Sequence, residues 1–253
     1  MAIELHDAHA IAKLRVAGAA AARTLAEIGS RIRPGISTAV IDAWVREDTS
    51  RRGGSPSQLG YHGFPAAVCT SRNEVVCHGI PSHDDVLLAG DIVNVDVTTD
   101  VNGYHGDTSA TFIVGGEATA SPEALHVVDV ARRCRDAGIG VVREGARLGD
   151  IGAAILELAR REGCSVVRDF GGHGIGRKMH QDPHVPHTGT RGTGMRLKRG
   201  MAITIEPMIN LGSAEVYVRD DDWTVVTTDG KLSAQFEHTV LVTAGGFELL
   251  TAL

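Results

Sequence analysis

This chain of 253 residues is short of aromatic residues, with five phenylalanines, three tyrosines and two tryptophans. It has no basic run to follow nucleic-acid phosphates, and its net charge is mildly negative at -6. A nucleic-acid partner is therefore not expected. No apolar stretch reaches membrane-spanning length, so no membrane partner is expected either. Met1 to His9 carry charges and no apolar core segment, so they do not read as a secretory leader. These absences together predict a cytoplasmic protein. The four cysteines (Cys69, Cys77, Cys134 and Cys164) contain no C-x-x-C pair, which disfavours a zinc finger and fits reduced thiols. Cys134 and Cys164 sit in helical patterns as core fillers. GGHGIG (Gly171 to Gly176) is not a dinucleotide fingerprint, because Arg177 stands where the third glycine belongs. No HExxH motif is present: His173 and His180 are seven residues apart.

The length allows one large α/β domain or two small ones. Apolar spacing predicts a first helix over Asp7 to Arg31, stopped by Pro34-Gly35, and a second that starts at Ser37 or Thr38 and ends near Gly53-Gly54. Asp91 to Val97 alternates as a strand, with Val93, Val95 and Val97 on one face and Asn94 and Asp96 on the other. After a turn at 100–103, His105 to Val114 forms its partner. Ser121-Pro122 opens a helix to about Val142, another covers Gly149 to Glu162, and the last third is rich in strands.

The chain also repeats itself. Arg33-Pro34-Gly35 before a helix returns as Arg143-Glu144-Gly145 before a helix, and GDIVNVD (Gly90 to Asp96) returns as GMAITIE (Gly200 to Glu206) at the same offset. His78-Gly79-Ile80 is echoed by His173-Gly174-Ile175. Three matches in one order predict an internal duplication, with halves of roughly 1–115 and 116–253 about a pseudo-two-fold axis. Asp96 and Glu206 would then hold equivalent positions beside a central site.

Asp96, Asp107, Glu206 and Glu237 are carboxylates set in strand-like apolar sequence. A lone aspartate there usually faces solvent, but buried carboxylates need a partner or a metal. Two on paired strands repel unless a cation lies between them. His173 joins them from a glycine-flanked turn. His78 and His180 are further candidates, whereas His184 and His187 read as surface residues of a polar loop. Oxygen donors with one imidazole suit Mn, Fe, Co or Zn. Two such ions would hold a water, bring its pKa near neutral and polarise a carbonyl, which is hydrolase chemistry.

YHGFP (Tyr61 to Pro65), NEVVCHGIP (Asn73 to Pro81), NVDV with GYHGDTSATF (Asn94 to Phe112), GGHGIGRKMHQDP (Gly171 to Pro183), TIEPM (Thr204 to Met208) and LSAQFEHT (Leu232 to Thr239) resemble the type I methionine aminopeptidases, in the short bacterial form, along nearly the whole chain. The resemblance implies the pita-bread fold of the M24 metallopeptidases. That is an α/β (α+β) single catalytic domain over 1–253, whose pseudo-two-fold halves carry antiparallel sheet covered by helices. It implies removal of the initiator methionine from nascent chains when the next residue is small, by a hydroxide bridging two divalent ions (Co, Mn, Fe or Zn). Asp107 and Glu237 would bridge both ions, Asp96 would chelate one, and His173 and Glu206 the other. His78 and His180 would bind the scissile peptide, and Glu206 would relay a proton. Tyr61, Phe64, Cys69, Met179 and Trp223 would line the methionine pocket. Asn73, Val75 and Ser233 match a monovalent cation site (Na or K). The expected partners are nascent polypeptide N-termini, with transient ribosome contact, and the protein is expected to act as a monomer.

The sequence departs from the family in two places: Met179 replaces a phenylalanine common there, and Gln58 stands where some members have a cysteine at the pocket rim. One rival reading is an X-Pro aminopeptidase or prolidase, disfavoured by Met208 and by the lack of a large preceding domain. Another is a metal-free pita-bread binding module, disfavoured because no ligand position is lost.

Overall fold

In the computed structural model, Asp7 caps the first helix, its carboxylate accepting from Ala10 N at 2.8 Å, and α1 runs over Ala8–Arg31. The structure describes residues 3–252. Met1 and Ala2, which open the segment read above as no leader, and Leu253 lie outside the described residues. A second helix, α2 (Thr38–Arg51), has Ser37 at its N-cap without a side-chain bond. Then come β1 (Ser55–Pro56), β2 (Cys69–Arg72), β3 (Val75–Cys77) and a long hairpin of β4 (Ile92–Val101) and β5 (Tyr104–Ile113). The expected turn is there: Asn102 and Gly103 both take positive φ, 54° and 76°, as a tight two-residue hairpin requires. Val93, Val95 and Val97 are buried together with Leu25, Ile28, Ile41 and Val45, so one face of β4 is covered by α1 and α2. The alanine run of α1 has a packing reason. A Cβ added at Gly106 on β5 would meet the backbone of Ala17 and Gly18.

In the second half, Ser121 caps α3 (Pro122–Gly140) by accepting from Ala124 N at 3.1 Å. Arg147 leads into α4 (Leu148–Arg161) with its N–H bonded to Asp150. The strands that follow are β6 (Ser165–Val166), β7 (Gly171–Gly174), β8 (Gln181–Pro186), β9 (Ala202–Ile205), β10 (Met208–Asn210), β11 (Val216–Val218), β12 (Val225–Thr227), β13 (Ser233–Gln235), β14 (His238–Val242) and β15 (Phe247–Leu249). Both helices pack on this half's sheets, burying Val127, Val130, Ile151 and Ile155 with Ile203, Ile205 and Ile209. Cys134 is a core filler on α3 as expected; Cys164 is buried too, but in the turn after α4 rather than on it.

Four sheets form among the described residues. β4 carries β1 and β2 on one edge and β5 on the other. β15-β14-β9-β7-β8 make a five-stranded sheet, and β13-β10-β6 and β11-β12-β3 make smaller ones. All the pairings are antiparallel.

The repeat in the sequence reappears as repeated hydrogen bonding. Gly35 N bonds Leu87 O at 2.8 Å and Gly145 N bonds Leu197 O at 2.9 Å. Isolated bridges join Ser37 to Val86 and Arg147 to Arg196. Gly90 and Gly200, the glycines that open the matched segments, have φ of 90° and 89°. The two halves meet along β5 and the β13–β14 segment. There Glu237 N donates to Ser109 O at 3.0 Å, Thr108 Oγ1 to Glu237 O at 2.9 Å, and Asn94 Nδ2 to Gln235 O at 2.8 Å.

Candidate metal centre

Each carboxylate reaches the seam from a different strand or strand end. Asp96 and Asp107 lie on the paired strands β4 and β5, where Asp96 faces Ser109 and Asp107 faces Thr98 in register. Glu206 follows directly after β9, and Glu237 lies between β13 and β14. His173 sits on β7 between two glycines whose smallness is required. A Cβ on Gly172 would meet Thr204 O, and one on Gly174 would meet Asp182 O.

The five residues converge. Donor atoms of Asp96, Asp107 and Glu237 lie within 4.8 Å of one another, as do those of His173, Glu206 and Glu237, and those of Asp107, His173 and His180. His173 Nε2 is 3.6 Å from both Asp107 Oδ2 and Glu206 Oε1. Its Nδ1 is 3.0 Å from Gly174 O. A carbonyl can only accept, so Nδ1 holds the proton and Nε2 turns a lone pair toward the carboxylates. Hydroxyls orient the acids: Thr98 Oγ1 donates to Asp107 Oδ1 at 2.7 Å, and Thr204 Oγ1 to Glu206 Oε1 at 2.6 Å.

Electrostatically the centre is unbalanced. Burial, then the charges of Asp107 and Glu206, push Asp96 well above the usual carboxylate range. Glu237 is raised in the same way by burial and its three acidic neighbours. Burial lifts Asp107 to about 7, and burial with the charge of Asp107 lifts Glu206 to about 8. No lysine or arginine is paired with these four among the described residues. Glu237 Oε1 is buried without a hydrogen-bond partner. Its oxygen lacks a donor, and the four acids lack a counter-charge. One or more cations from outside the chain would supply both, and the oxygen-rich donor set with one imidazole fits hard to borderline divalent ions.

A cavity of about 100 Å³ opens beside the carboxylates, lined by Tyr61, Phe64, Cys69, Met179 and Trp223 among others. Phe64 and Trp223 meet edge to face at 5.1 Å. Burial raises the Cys69 thiol, as an apolar wall requires. His78, with φ of 55°, stacks edge-on to Phe170 at 5.5 Å, and His180 meets the His173 ring at 4.2 Å. Both His78 and His180 line this cavity and a larger neighbour of about 670 Å³. Burial lowers His78, and burial with the charge of His78 brings His180 down to about 4. Asn73, with φ of 53°, receives Ser233 N on its carbonyl at 2.9 Å, near Val75 on β3.

Sequence reasoning misplaced one histidine and missed several polar supports. His187 is not a surface residue: it is 2% exposed, and its Nε2 accepts from Glu206 N at 3.2 Å. His184 is exposed as expected, but lies on strand β8 rather than in a loop. Thr98, Thr204 and Gln235 hold the carboxylates, Gln235 Nε2 lying 3.3 Å from Glu206 Oε2. Their only signal was polar side chains in apolar strands next to the acids.

The model of metallopeptidase family M24 matches residues 12–244. Methionine aminopeptidase A of Synechocystis sp. is 51% identical over 98% of this chain and 97% of its own length. This chain belongs to metallopeptidase family M24, among its methionine aminopeptidases. The Escherichia coli (strain K12) methionine aminopeptidase is 46% identical over 99% of the chain and 94% of its own length. The crystal structure of the Rickettsia prowazekii methionine aminopeptidase superposes with a TM-score of 0.96 at 44% identity, covering 99% of this chain and all (100%) of that one. The M24 fold assigned here is therefore the pita-bread architecture expected from the sequence.

Proposed function

We propose that this chain removes the N-terminal methionine from newly made polypeptides whose second residue is small, using divalent metal ions held by Asp96, Asp107, His173, Glu206 and Glu237. It is a hydrolase and an aminopeptidase of its family. The observation that carries the residue assignment is the convergence of four buried acids and one imidazole, with no cationic side chain paired to the acids among the described residues. Asp107 and Glu237 both join Asp96 in one donor group, and each also joins a group that contains His173, which supports them as the bridging pair. When bound, such ions polarise the scissile carbonyl and lower the pKa of a water.

The chain's own groups do the rest. The apolar cavity takes the methionine side chain, with Cys69 and Met179 as polarizable walls for its thioether. The Nδ1 of His180 lies 2.9 Å from Tyr61 Oη, so that bond aims the ring and leaves Nε2 for the substrate carbonyl. His78, kept neutral by burial, faces the same peptide. Glu206, ionised once bound cations supply the counter-charge it lacks, would accept a proton from the water and pass it to the leaving amine. A monovalent cation at Asn73, Val75 and Ser233 is part of the reading, supported by the buried Ser233 Oγ that lacks a partner. So are one catalytic domain over 1–253 in two duplicated halves, a monomer, a cytoplasmic setting and contact with the ribosome. No helix among the described residues is long and apolar enough to cross a membrane.

The test is peptide hydrolysis. Protein stripped by chelator and reloaded with Mn, Co, Fe or Zn should release methionine from Met-Ala-Ser and leave Ala-Pro peptides intact. Cleavage of Ala-Pro in preference, or no release under any of the metals, would refute the reading.

A further inference from the structure

We propose that Gln58 is a positioning residue for the metal centre, acting through Asp96; this rests on the reading of Asp96 as a ligand. Gln58 is only 6% exposed, between β1 and the turn at Tyr61. The pairing of β1 with β4 fixes its place: Pro56 faces Thr99 in register, and Ser57 N bonds Thr98 O at 2.9 Å. The next residue along is thereby set against Asp96.

The Gln58 amide is fully engaged there. Nε2 donates to Asp96 O at 2.8 Å and reaches Asp96 Oδ1 at 3.3 Å, while Oε1 accepts from Thr98 N at 3.2 Å. The orientation is not open to a flip. Thr98 N can only donate and Asp96 O can only accept, so the amide oxygen must face Thr98 and the nitrogen Asp96. One side chain thus ties the backbone of Asp96 to its own carboxylate and to Thr98. Thr98 in turn donates to Asp107 Oδ1 at 2.7 Å, so a single chain of bonds sets both aspartates. Gln58 also forms part of the wall of the methionine cavity. Its amide nitrogen is engaged by Asp96, so that wall carries no free donor toward an apolar side chain. Gln58 therefore serves two neighbours at once. It orients a ligand on one side and closes the pocket without a competing hydrogen bond on the other.

The experiment compares native protein with Gln58→Met and Gln58→Leu, both near in volume and lacking the amide. Chelator-stripped samples are titrated with Mn(II) by calorimetry, and the visible absorption of Co(II)-loaded samples is recorded alongside melting temperatures. Loss of a group that orients a ligand weakens metal binding by roughly 10–100-fold. We expect that range for both variants, with a shifted Co(II) spectrum. Native-like Mn(II) affinity, within about twofold, together with an unchanged Co(II) spectrum in either folded variant would overturn the role. So would a lower melting temperature with the spectrum intact, which would make Gln58 a structural support of Thr98 alone. Native protein that takes up neither ion would overturn the metal reading itself, and the role of Gln58 with it.

Discussion

Asp48 and Asp107 are aspartates that expose almost equally little surface, 1% and 4%, though Asp107 lies deeper, and the fold treats them in opposite ways. Burial by itself would raise Asp48. Hydrogen bonds from Arg52, at 2.6 Å, and from Arg51 outweigh that, and its carboxyl lies below the usual range. Asp107 meets burial with no cationic side chain, and its hydrogen bonds from Thr98 and Thr108 leave it raised to about 7. At the surface the pattern of Asp48 recurs, with Glu157 lowered by Arg191 and Asp129 by Arg133 and Arg132 against its partial burial. The chain therefore supplies counter-charge to acids elsewhere and withholds it at the seam. An acid that is buried, oriented by hydroxyls and denied an arginine is prepared for a cation the chain does not contain.

The contrast is broken most sharply by removing Asp107. Asp107→Ala should lower methionine release by more than the roughly 100-fold that loss of an indirect support can cost. It should also weaken both metal sites, because Asp107 would serve both. Two tightly held ions in that variant, counted by metal analysis, would contradict the bridge.

A second effect concerns pH in the chelated protein. Asp96, Asp107, Glu206 and Glu237 have folded pKa values above their unfolded ones. Their contribution is complete below the unfolded values, near 4, and is lost as pH rises through the folded ones. His173, His180, His187 and His238 are lowered to about 3 or 4, so their contribution is present above about 6.5 and fades below it. Above about pH 7.5 these histidines are neutral in both states, and the carboxylates set the slope together with the buried thiols of Cys69, Cys77, Cys134 and Cys164, which burial also raises. The melting temperature of chelated protein should fall by about 5 °C or more between pH 6.5 and 8.5. Added Mn(II) should remove most of that fall. A flat profile in scanning calorimetry would mean the seam acids are not raised.

The smallest effect sharpens the comparison. Asp48→Asn should destabilise the fold by about 1–3 kcal/mol, because charge-assisted bonds are lost, and leave metal uptake unchanged. Asp107→Asn in chelated protein at pH 8 should instead raise stability, since an unpaired buried charge is removed. Denaturant unfolding of the two variants reads both signs.

The alternation of valines around Asp96, the start of the first helix at Asp7, the cap at Ser121 and the Asn102-Gly103 turn were legible because each depends on neighbours within a few residues. The five acidic and imidazole groups were legible as a set because carboxylates in apolar strands are costly without a cation. The repeated segments were legible because Gly35 and Gly145, and Gly90 and Gly200, repeat a positive φ that glycine meets most easily. His187 was not legible. Its segment is polar and reads as a loop, and only the alternation of β8, carried one residue past its end at Pro186, turns Val185 and His187 inward and brings the ring to Glu206 N. The amide of Gln58 was equally hidden, since nothing near it in sequence says that Asp96, 38 positions away, lies within reach of the segment that follows β1.

By itself, then, the sequence determined the element types, the repeated glycine turns and the set of acids that converge, because these follow from local periodicity and from what each side chain tolerates. The tertiary structure alone decided which hydroxyls and amides orient those acids, which histidine is buried behind Glu206, and where counter-charge is absent. Those outcomes depend on contacts between residues far apart in the chain, whose partners no local pattern specifies.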